Sequence, residues 1–433
     1  MKRQNAAHHA DRELPWWASP AGLNLGFLIP ILLLVTYVGH SELAGLQIRG
    51  VWFFTDQYVL LAIALLLVTS VSCWIGAQIS IQSRIPPVDA SRSWDKAALL
   101  LGFTALAAYL YFFRSLLADP VLLFHTFTGA YRPNRQNLEI TAGLTSFENV
   151  APVFFSIYAY RVLSLRLRVR PLMHLLCIGL LALTALRVYA WSERLALIEA
   201  ILPFGLAGAT RLTTSRNRLV RGLSWGGPFF AIPLLILYFG LAESVRSWTA
   251  SAYHGRSGFW EFAIGRIATY YITSLNNGAG LLQTFHWPTY SFEYTAAWLH
   301  KIPLMGDKFS AYLNPNGKIG ADSYNYYLAK FGDPEFNNPS GNFSVICDMG
   351  LPLGIAYFAV VGIAGGILFR AYRAGTLLGV LLYPMFFLAF LEVFRYPYLG
   401  TQRAFTWAIG IGIALLLSRP TKQHAITTPQ TVT

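Results

Sequence analysis

Arginine and carboxylate side chains recur at those ends of the apolar segments that we predict to lie on the outer side of a membrane. Arginine holds phosphate through two parallel hydrogen bonds and keeps its charge at physiological pH. Short loops on the outer side of a membrane are usually poor in basic residues, so the presence of these arginines suggests a specific role. We expect at least two to bind phosphate. The set comprises Arg132, Arg135, Arg187, Arg194, Arg246, Arg256, Arg266, Arg395 and Arg403.

Carboxylates near the same ends are candidates for a general base, which takes a proton from an attacking hydroxyl, and they include Glu139, Glu148, Asp322 and Asp333. Glu193 follows one apolar segment, and Asp348 lies just before another. Asp348 has an alternative interpretation as a helix N-terminal cap, where a carboxylate is favourable in any case. The chain has no H-E-x-x-H motif, no His/Cys cluster and no phosphate-binding glycine loop, so the sequence predicts no metal and no cofactor.

The elements that position these residues are apolar segments of membrane-spanning length. Hydrophobic residues make up 55% of the chain and charged residues only 12%, whereas soluble domains carry about 25% charged residues. A helix needs about 20 residues to cross the hydrocarbon core. We therefore predict an all-α polytopic membrane protein with about ten transmembrane helices. The segments lie near 22–39, 56–79, 97–115, 147–164, 172–190, 194–210, 227–245, 351–370, 376–394 and 403–418.

Basic residues concentrate in alternate short loops, as in the cluster Arg166, Arg168 and Arg170. By the positive-inside rule this pattern predicts that both termini are cytoplasmic. The net charge of +13 is therefore a topology signal, and we expect no nucleic-acid partner. The segment 194–210 is the least secure of the ten, because Glu193, Arg194 and Glu199 lie in or beside it.

The predicted topology divides the chain into three parts. Helices with short loops occupy 1–245, a large periplasmic loop occupies 246–350, and further helices with a cytoplasmic tail occupy 351–433. The loop begins with apolar residues at helical spacing, from Trp260 to Leu275. This stripe predicts a helix that either lies along the outer membrane boundary or packs on neighbouring spans.

The rest of the long loop is rich in aromatic residues, and Tyr324 is one of them. A sugar ring can stack its apolar face on an aromatic ring while Asn and Asp bond its hydroxyls. Tyrosine and tryptophan are also common at membrane interfaces for no reason beyond solvation. Both interpretations stay open for each residue, although their density in this loop favours sugar binding.

The stretch from Gly341 to Gly354, GNFSVICDMGLPLG, leads from the long loop into an apolar segment. It resembles the G-x-x-S…D-x-G-x-x-G junction of Wzy-type oligosaccharide repeat-unit polymerases. Arg132 to Gly143 and Arg194 to Gly205 also match an Arg-x10-Gly spacing found in some members of that family. The architecture resembles the family over the whole chain, and the motif covers about fourteen residues.

The resemblance implies a metal-independent glycosyltransferase of the bacterial inner membrane. Its donor would be a glycan on undecaprenyl pyrophosphate, and its product an O-antigen, capsule or exopolysaccharide. Carried onto this chain, Arg132, Arg135, Arg194 and Arg266 would hold pyrophosphate, with Arg256 beside them, and Glu193 or Asp348 would be the base. The implied partners are membrane lipid, a chain-length regulator and a flippase.

Two other functions remain open from the sequence. An O-antigen ligase would use the same donor with lipid A core as acceptor, and such ligases carry a histidine in the long loop. His254, His286 and His300 leave that function possible. A transporter would show paired halves and charges in the middle of its spans. We find no internal repeat, although Glu392 and Glu243 could lie deep in the bundle.

Overall fold

The computed structural model describes most of the chain between residues 13 and 418. This is the described part of the chain. It comprises residues 13–40, 50–79, 92–128, 131, 141, 143–191, 193, 195–243, 258–313, 321–333 and 336–418.

The described residues form an all-helical protein without a β-strand. We number the helices in chain order. They are α1 (Pro20–Gly39), α2 (Asp56–Gln78), α3 (Arg92–Phe112), α4 (Arg114–Ala118), α5 (Pro120–Phe127), α6 (Ala151–Ala159), α7 (Pro171–Trp191), α8 (Leu195–Thr213), α9 (Arg218–Trp225), α10 (Gly227–Glu243), α11 (Phe259–Thr284), α12 (Gly306–Leu313), α13 (Ala321–Lys330), α14 (Gly341–Arg373), α15 (Leu377–Leu391) and α16 (Gln402–Leu417).

Each of the ten predicted apolar segments coincides with helix, including α8, the least secure of them. Among the described residues, six helices are long and apolar enough to cross a membrane, namely α1, α2, α3, α7, α8 and α14. The pair α9–α10 would make a seventh span, bent by 69°. The helices α15 and α16 are shorter, and the α6 segment continues through a π-helical turn at Tyr160–Ser164. The multi-pass character is supported, while the count of ten spans stays a prediction.

The helices α2 and α14 form the most extensive helix pair, and small residues allow their close approach. A side chain at Gly366 would collide with the backbone of Cys73, and one at Gly76 would collide with Ile363. Small residues are common where membrane helices pack, because backbone contact replaces the hydrophobic effect that lipid cannot supply. This interface joins the second and eighth predicted spans.

The helix α14 begins at Gly341, well before the predicted span boundary at 351, and bends at Gly350. Gly350 has φ 79°, a conformation that favours glycine, and Pro352 follows within the same bend. The first segment, before the bend, is buried along most of its length. The entry to this span is therefore a buried helical segment that belongs to the protein interior.

The predicted helix at the start of the long loop is present as α11, and it packs against α1, α10 and α14. Residues 272–281 are all buried, which excludes an exposed interfacial position for this half. Two buried amides explain how polar residues are accommodated there. Asn276 accepts hydrogen bonds from the backbone N–H groups of Phe53 and Phe54 at 2.7 and 3.0 Å. Asn277 donates to the carbonyls of Phe336 and Asn338.

Charged groups collect at both ends of the helical bundle. At one end, the buried Arg161 side chain pairs with Asp95, and Arg170 lies 3.6 Å from the same carboxylate. This is the end predicted to be cytoplasmic. At the opposite end, the loops around α6, α7, α8 and α16 bring a second charged cluster together. The side of the membrane on which each end lies stays a prediction.

Candidate functional site

Arg187, in the last turns of α7, lies at the centre of the second cluster. Its Nη1 is 2.7 Å from Oε1 of Glu148, in the 3₁₀ turn Thr145–Val150 that precedes α6. Its Nη2 is 2.5 Å from Oε2 of Glu193, in the short connection between α7 and α8. One guanidinium group thus joins two carboxylates from separate loops.

Arg403, in the first turn of α16, completes the cluster from the other side. It pairs with the second oxygen of Glu193 and with Oε2 of Glu199, the latter at 2.7 Å. The hydroxyl of Tyr398 donates to the other oxygen of Glu199, also at 2.7 Å. We call Glu148, Arg187, Glu193, Glu199 and Arg403 the five-residue charge network.

Two of the three carboxylates in the network are shielded from solvent. The Glu193 side chain is 34% exposed, whereas those of Glu148 and Glu199 are 5% and 4% exposed. Buried charges are tolerated when they are paired, and both buried carboxylates pair with an arginine, although Oε2 of Glu148 has no hydrogen-bond partner among the described residues. Glu193 is therefore the network carboxylate that an external molecule can reach.

The long loop packs directly on this end of the bundle. The Trp298 ring stacks on Phe405 with centroids 4.8 Å apart, and the backbone N–H of Trp298 donates to the Gly400 carbonyl at 3.2 Å. Phe405 lies two residues after Arg403 in the same helix. The aromatic loop and the charge network therefore share one region of the structure.

A second ion pair lies in the turn between α15 and α16. Arg395 Nη1 is 2.7 Å from Oε2 of the buried Glu392, and its guanidinium lies 4.8 Å from the ring centroid of Tyr270. The buried Nε of Arg395 has no acceptor among the described residues. On the same helix as Tyr270, Arg266 lies 4.5 Å from the ring centroid of Phe336. The ring centroids of Phe336 and Tyr270 are 5.6 Å apart, so these two rings connect Arg266 to the second pair.

Asp348 is fully buried, and its carboxylate is occupied by the long loop. Oδ2 accepts hydrogen bonds from the backbone N–H groups of Tyr294 and Thr295 at 2.9 and 2.8 Å, and from the Thr295 hydroxyl at 2.9 Å. Oδ1 lies 3.4 Å from the Thr289 hydroxyl. The alternative interpretation as an N-terminal cap is wrong, because the carboxylate accepts its hydrogen bonds from the long loop rather than from the backbone of α14. Asp348 instead anchors residues 289–295.

The other positions of the junction motif also have structural explanations. Gly341 lies against the carbonyls of Val393 and Tyr396, where a side chain would not fit. The Ser344 hydroxyl donates to the Ser340 carbonyl, and Gly350 takes the left-handed conformation. The geometry of the motif thus accounts for how the long loop is joined to α14, independently of any reaction.

Tyr324 belongs to an aromatic cluster within the long loop. Its ring stacks on Tyr327 with centroids 5.9 Å apart and meets Tyr294 edge-on at 6.1 Å. Its hydroxyl is buried with no partner among the described residues. Burial, and secondarily Tyr327, raise the pKa of Tyr324 well above its ordinary value. The hydroxyl is therefore a neutral donor throughout the physiological range.

The structure brings together some of the predicted site residues and does not describe others. Glu193 is in the charge network, Arg266 is near the Arg395 pair, and Asp348 and Tyr324 contact the same part of the long loop. The remaining predicted residues lie outside the described part of the chain, namely Arg132, Arg135, Arg194 and Arg256. Within the described part, no group of three or more His, Cys, Asp or Glu could hold a metal ion.

Sequence reasoning grouped Arg187 and Arg403 with the outer arginines but gave neither a specific role. It did not consider Tyr398 at all. The available signal was the position of both arginines inside or at the end of apolar segments, where a charge needs a partner. No local pattern indicates Tyr398, because it reaches Glu199 from a distant part of the sequence.

Comparison with known proteins provides no family for this chain. We found no match to it among protein-family models, curated proteins or solved structures.

Proposed function

We propose that this protein is a membrane glycosyltransferase that polymerises oligosaccharide repeat units carried on undecaprenyl pyrophosphate. The growing glycan on its lipid is the donor, and the terminal sugar of a new lipid-linked unit is the acceptor. The reaction takes place at the periplasmic face of the bacterial inner membrane, and the product is an O-antigen, capsule or exopolysaccharide. A flippase supplies the units and a chain-length regulator limits the polymer.

The observation that carries this proposal is the position of Glu193. It is the accessible carboxylate of the charge network, at the bundle end on which an aromatic loop packs. A glycosyl transfer needs a base beside a surface that can hold sugars and a lipid. Glu193 with this loop meets both requirements at the end of an apolar helical bundle.

In the proposed reaction, an acceptor hydroxyl oxygen attacks the anomeric carbon of the donor glycan, and its proton passes to Glu193. The bond between the anomeric carbon and the pyrophosphate oxygen breaks, and its electron pair leaves with the pyrophosphate. Arginine stabilises the negative charge on that group. No metal or cofactor is included in this proposal.

The arginines divide into two roles in this proposal. Arg187 and Arg403 are paired with carboxylates, so their role is to fix the position of Glu193. Pyrophosphate binding falls to Arg266 and to the predicted residues outside the described part, Arg132, Arg135, Arg194 and Arg256. Asp348 is a weaker candidate for the base, because four donor groups of the long loop surround its carboxylate.

Replacement of Glu193 with Gln tests the proposal. The amide keeps the size of the side chain but cannot take the proton, so surface glycan should shorten to single repeat units in cells that retain normal amounts of the protein. Glu261→Gln is the matched control, since this carboxylate is exposed at the start of α11. Full-length glycan in cells with the Glu193 variant would contradict the assignment.

An O-antigen ligase is the second candidate, and His300 bears on it. Its Nε2 lies 2.8 Å from the Ser291 carbonyl and its Nδ1 lies 3.0 Å from the Ser310 hydroxyl. Both ring nitrogens are therefore engaged, which leaves the exposed His286, or His254 outside the described part, for a ligase. In a deletion strain, lipid A core capped with one unit would indicate a polymerase, and uncapped core would indicate a ligase.

A transporter is the non-enzyme alternative, and the buried carboxylates Glu199 and Glu392 are the observations that favour it. Both are paired with arginine in the structure, so neither is an isolated charge of the kind that carries ions. Uptake or efflux of lipid-linked glycan by the purified protein in liposomes, without any chain extension, would support this function over the enzyme.

A further inference from the structure

An apolar groove lies between α1, α10 and α11 and has a volume of about 250 Å³. Engineered apolar cavities of about 150 Å³ already hold benzene, so this groove has room for a short branched hydrocarbon. Tyr271 is the one described lining residue that has a polar side-chain group. The residues that define the groove include Phe27, Ile31, Val35, Ile236, Ile267 and Tyr271.

The Glu392–Arg395 pair is next in the chain to two residues that line this groove. Leu391 and Phe394 line the groove, and each is followed directly by a member of the pair. Tyr271 also lines the groove, and the ring centroid of its neighbour Tyr270 lies 4.8 Å from the Arg395 guanidinium. Burial raises the pKa of Tyr271 to about 12, and the charges of Glu392 and Arg395 also act on it, in opposite directions.

Arg395 keeps hydrogen-bonding capacity in this position. Only its Nη1 bonds to Glu392, and its buried Nε has no acceptor among the described residues. A buried donor that the protein leaves unpaired costs free energy, and a ligand oxygen could recover it. An apolar groove and a cationic donor thus lie close together, an arrangement that complements an amphiphile with a phosphorylated head.

We propose that this groove holds the phosphate-proximal isoprene units of the polyprenyl lipid, with Arg395 beside the phosphate. The inference rests on the proposed function for the identity of the chain. Membrane helices α1 and α10 form two walls, so the remaining length of the polyprenol continues into the bilayer. The groove therefore positions the donor by its tail, separately from the residues that act on the sugar.

The test fills the groove and measures lipid retention. Ile236→Trp places a large ring in the groove, and Leu234→Trp is the matched control, because Leu234 is 67% exposed on the same helix and does not line the groove. Each full-length variant is purified, incubated with undecaprenyl phosphate and analysed by native mass spectrometry. We expect at least tenfold less bound lipid for Ile236→Trp than for Leu234→Trp. Equal retention would overturn the inference.

A second groove variant and two comparison lipids complete the test. Ala268→Leu narrows the groove more gently and should also lower retention, even where Ile236→Trp does not fold. Undecaprenol, which lacks the phosphate, should bind the wild type more weakly than undecaprenyl phosphate. A straight-chain phosphatidic acid that binds as tightly as undecaprenyl phosphate would show an acyl-lipid groove and overturn the isoprenoid assignment.

The glycan chain length of the same variants separates this inference from the proposed function. If Ile236→Trp loses bound lipid and the wild-type protein makes no polymer, the lipid-binding groove is supported and the polymerase function is contradicted. If both groove variants polymerise normally and retain as much lipid as the wild type, the lipid-binding groove is contradicted and the polymerase function stands.

Discussion

Arg187 Nη1 lies 2.7 Å from Glu148 Oε1, and both side chains are almost fully buried. This pair ties the last turns of α7 to the turn that precedes α6, and it supports Glu193 through the same guanidinium. Paired buried charges contribute little net stability, yet removal of one partner leaves the other unsatisfied. Loss of either partner alone should therefore destabilise this bundle end.

The variant Arg187→Met should destabilise the protein by about 3–5 kcal/mol, because Glu148 then remains buried without its cation. Thermal unfolding in detergent, followed by tryptophan fluorescence, measures this loss. The double variant Arg187→Met/Glu148→Gln should recover part of it, since the buried charge is removed as well. Equal stability of the single and double variants would contradict the pairing.

Replacement of Asp348 with Asn should release residues 289–295 from α14. The amide nitrogen of Asn donates hydrogen bonds, so it cannot replace an oxygen that accepts from Tyr294 and Thr295. The expected cost is about 1–3 kcal/mol, with faster protease cleavage in this segment. The exposed Asp307→Asn is the control. An unchanged cleavage rate, together with lost polymerisation, would instead make Asp348 a catalytic residue.

Alanine at two helical glycines should act in opposite directions. Gly208 has open space around it, so Gly208→Ala should stabilise α8 by about 0.5–1 kcal/mol through lower backbone entropy. Gly366 contacts the Cys73 backbone, so Gly366→Ala should separate α2 from α14 and cost about 1–3 kcal/mol. Unfolding temperatures of the two variants check the signs. The same sign for both would contradict the close packing.

Because the sequence predicts that Tyr324 binds sugar, removal of its hydroxyl should lower polymerisation while leaving stability unchanged or slightly higher. The hydroxyl is buried without a partner among the described residues, so Tyr324→Phe removes an unsatisfied group. Because burial raises its pKa well above 10, the activity ratio of wild type to variant should not vary between about pH 6 and pH 9. A ratio that changes across this range would contradict a neutral hydroxyl donor.

The variants Arg132→Ala and Arg194→Ala should shorten surface glycan to single repeat units without lowering the amount of protein in the membrane. Each loses a guanidinium group that the proposal assigns to pyrophosphate. Arg221→Ala is the control, because this arginine is exposed on α9 and is not among the predicted binding residues. Normal chain lengths in both outer variants would remove these residues from the binding site.

The helical segments could be read from the sequence because their signal is local. A run of apolar residues forms a helix in lipid whatever its neighbours are, since the backbone must satisfy its own hydrogen bonds. The stripe from Trp260 to Leu275 likewise predicted α11, although periodicity could not show that α11 would be buried between α1, α10 and α14. The buried amides Asn276 and Asn277 mark that burial only once their distant partners are known.

The sequence by itself determined which segments are apolar, that they form helices, and that charges concentrate at their ends. Only the tertiary structure decided which charges pair. The charge of Glu199 was one reason to doubt that α8 spans the membrane. Its partners Arg403 and Tyr398 lie about two hundred positions further along the chain. Apolar composition determines structure within one segment, whereas an ion pair between residues far apart in the sequence forms only when the elements that carry them pack together. The pairing therefore became visible only in the packed bundle.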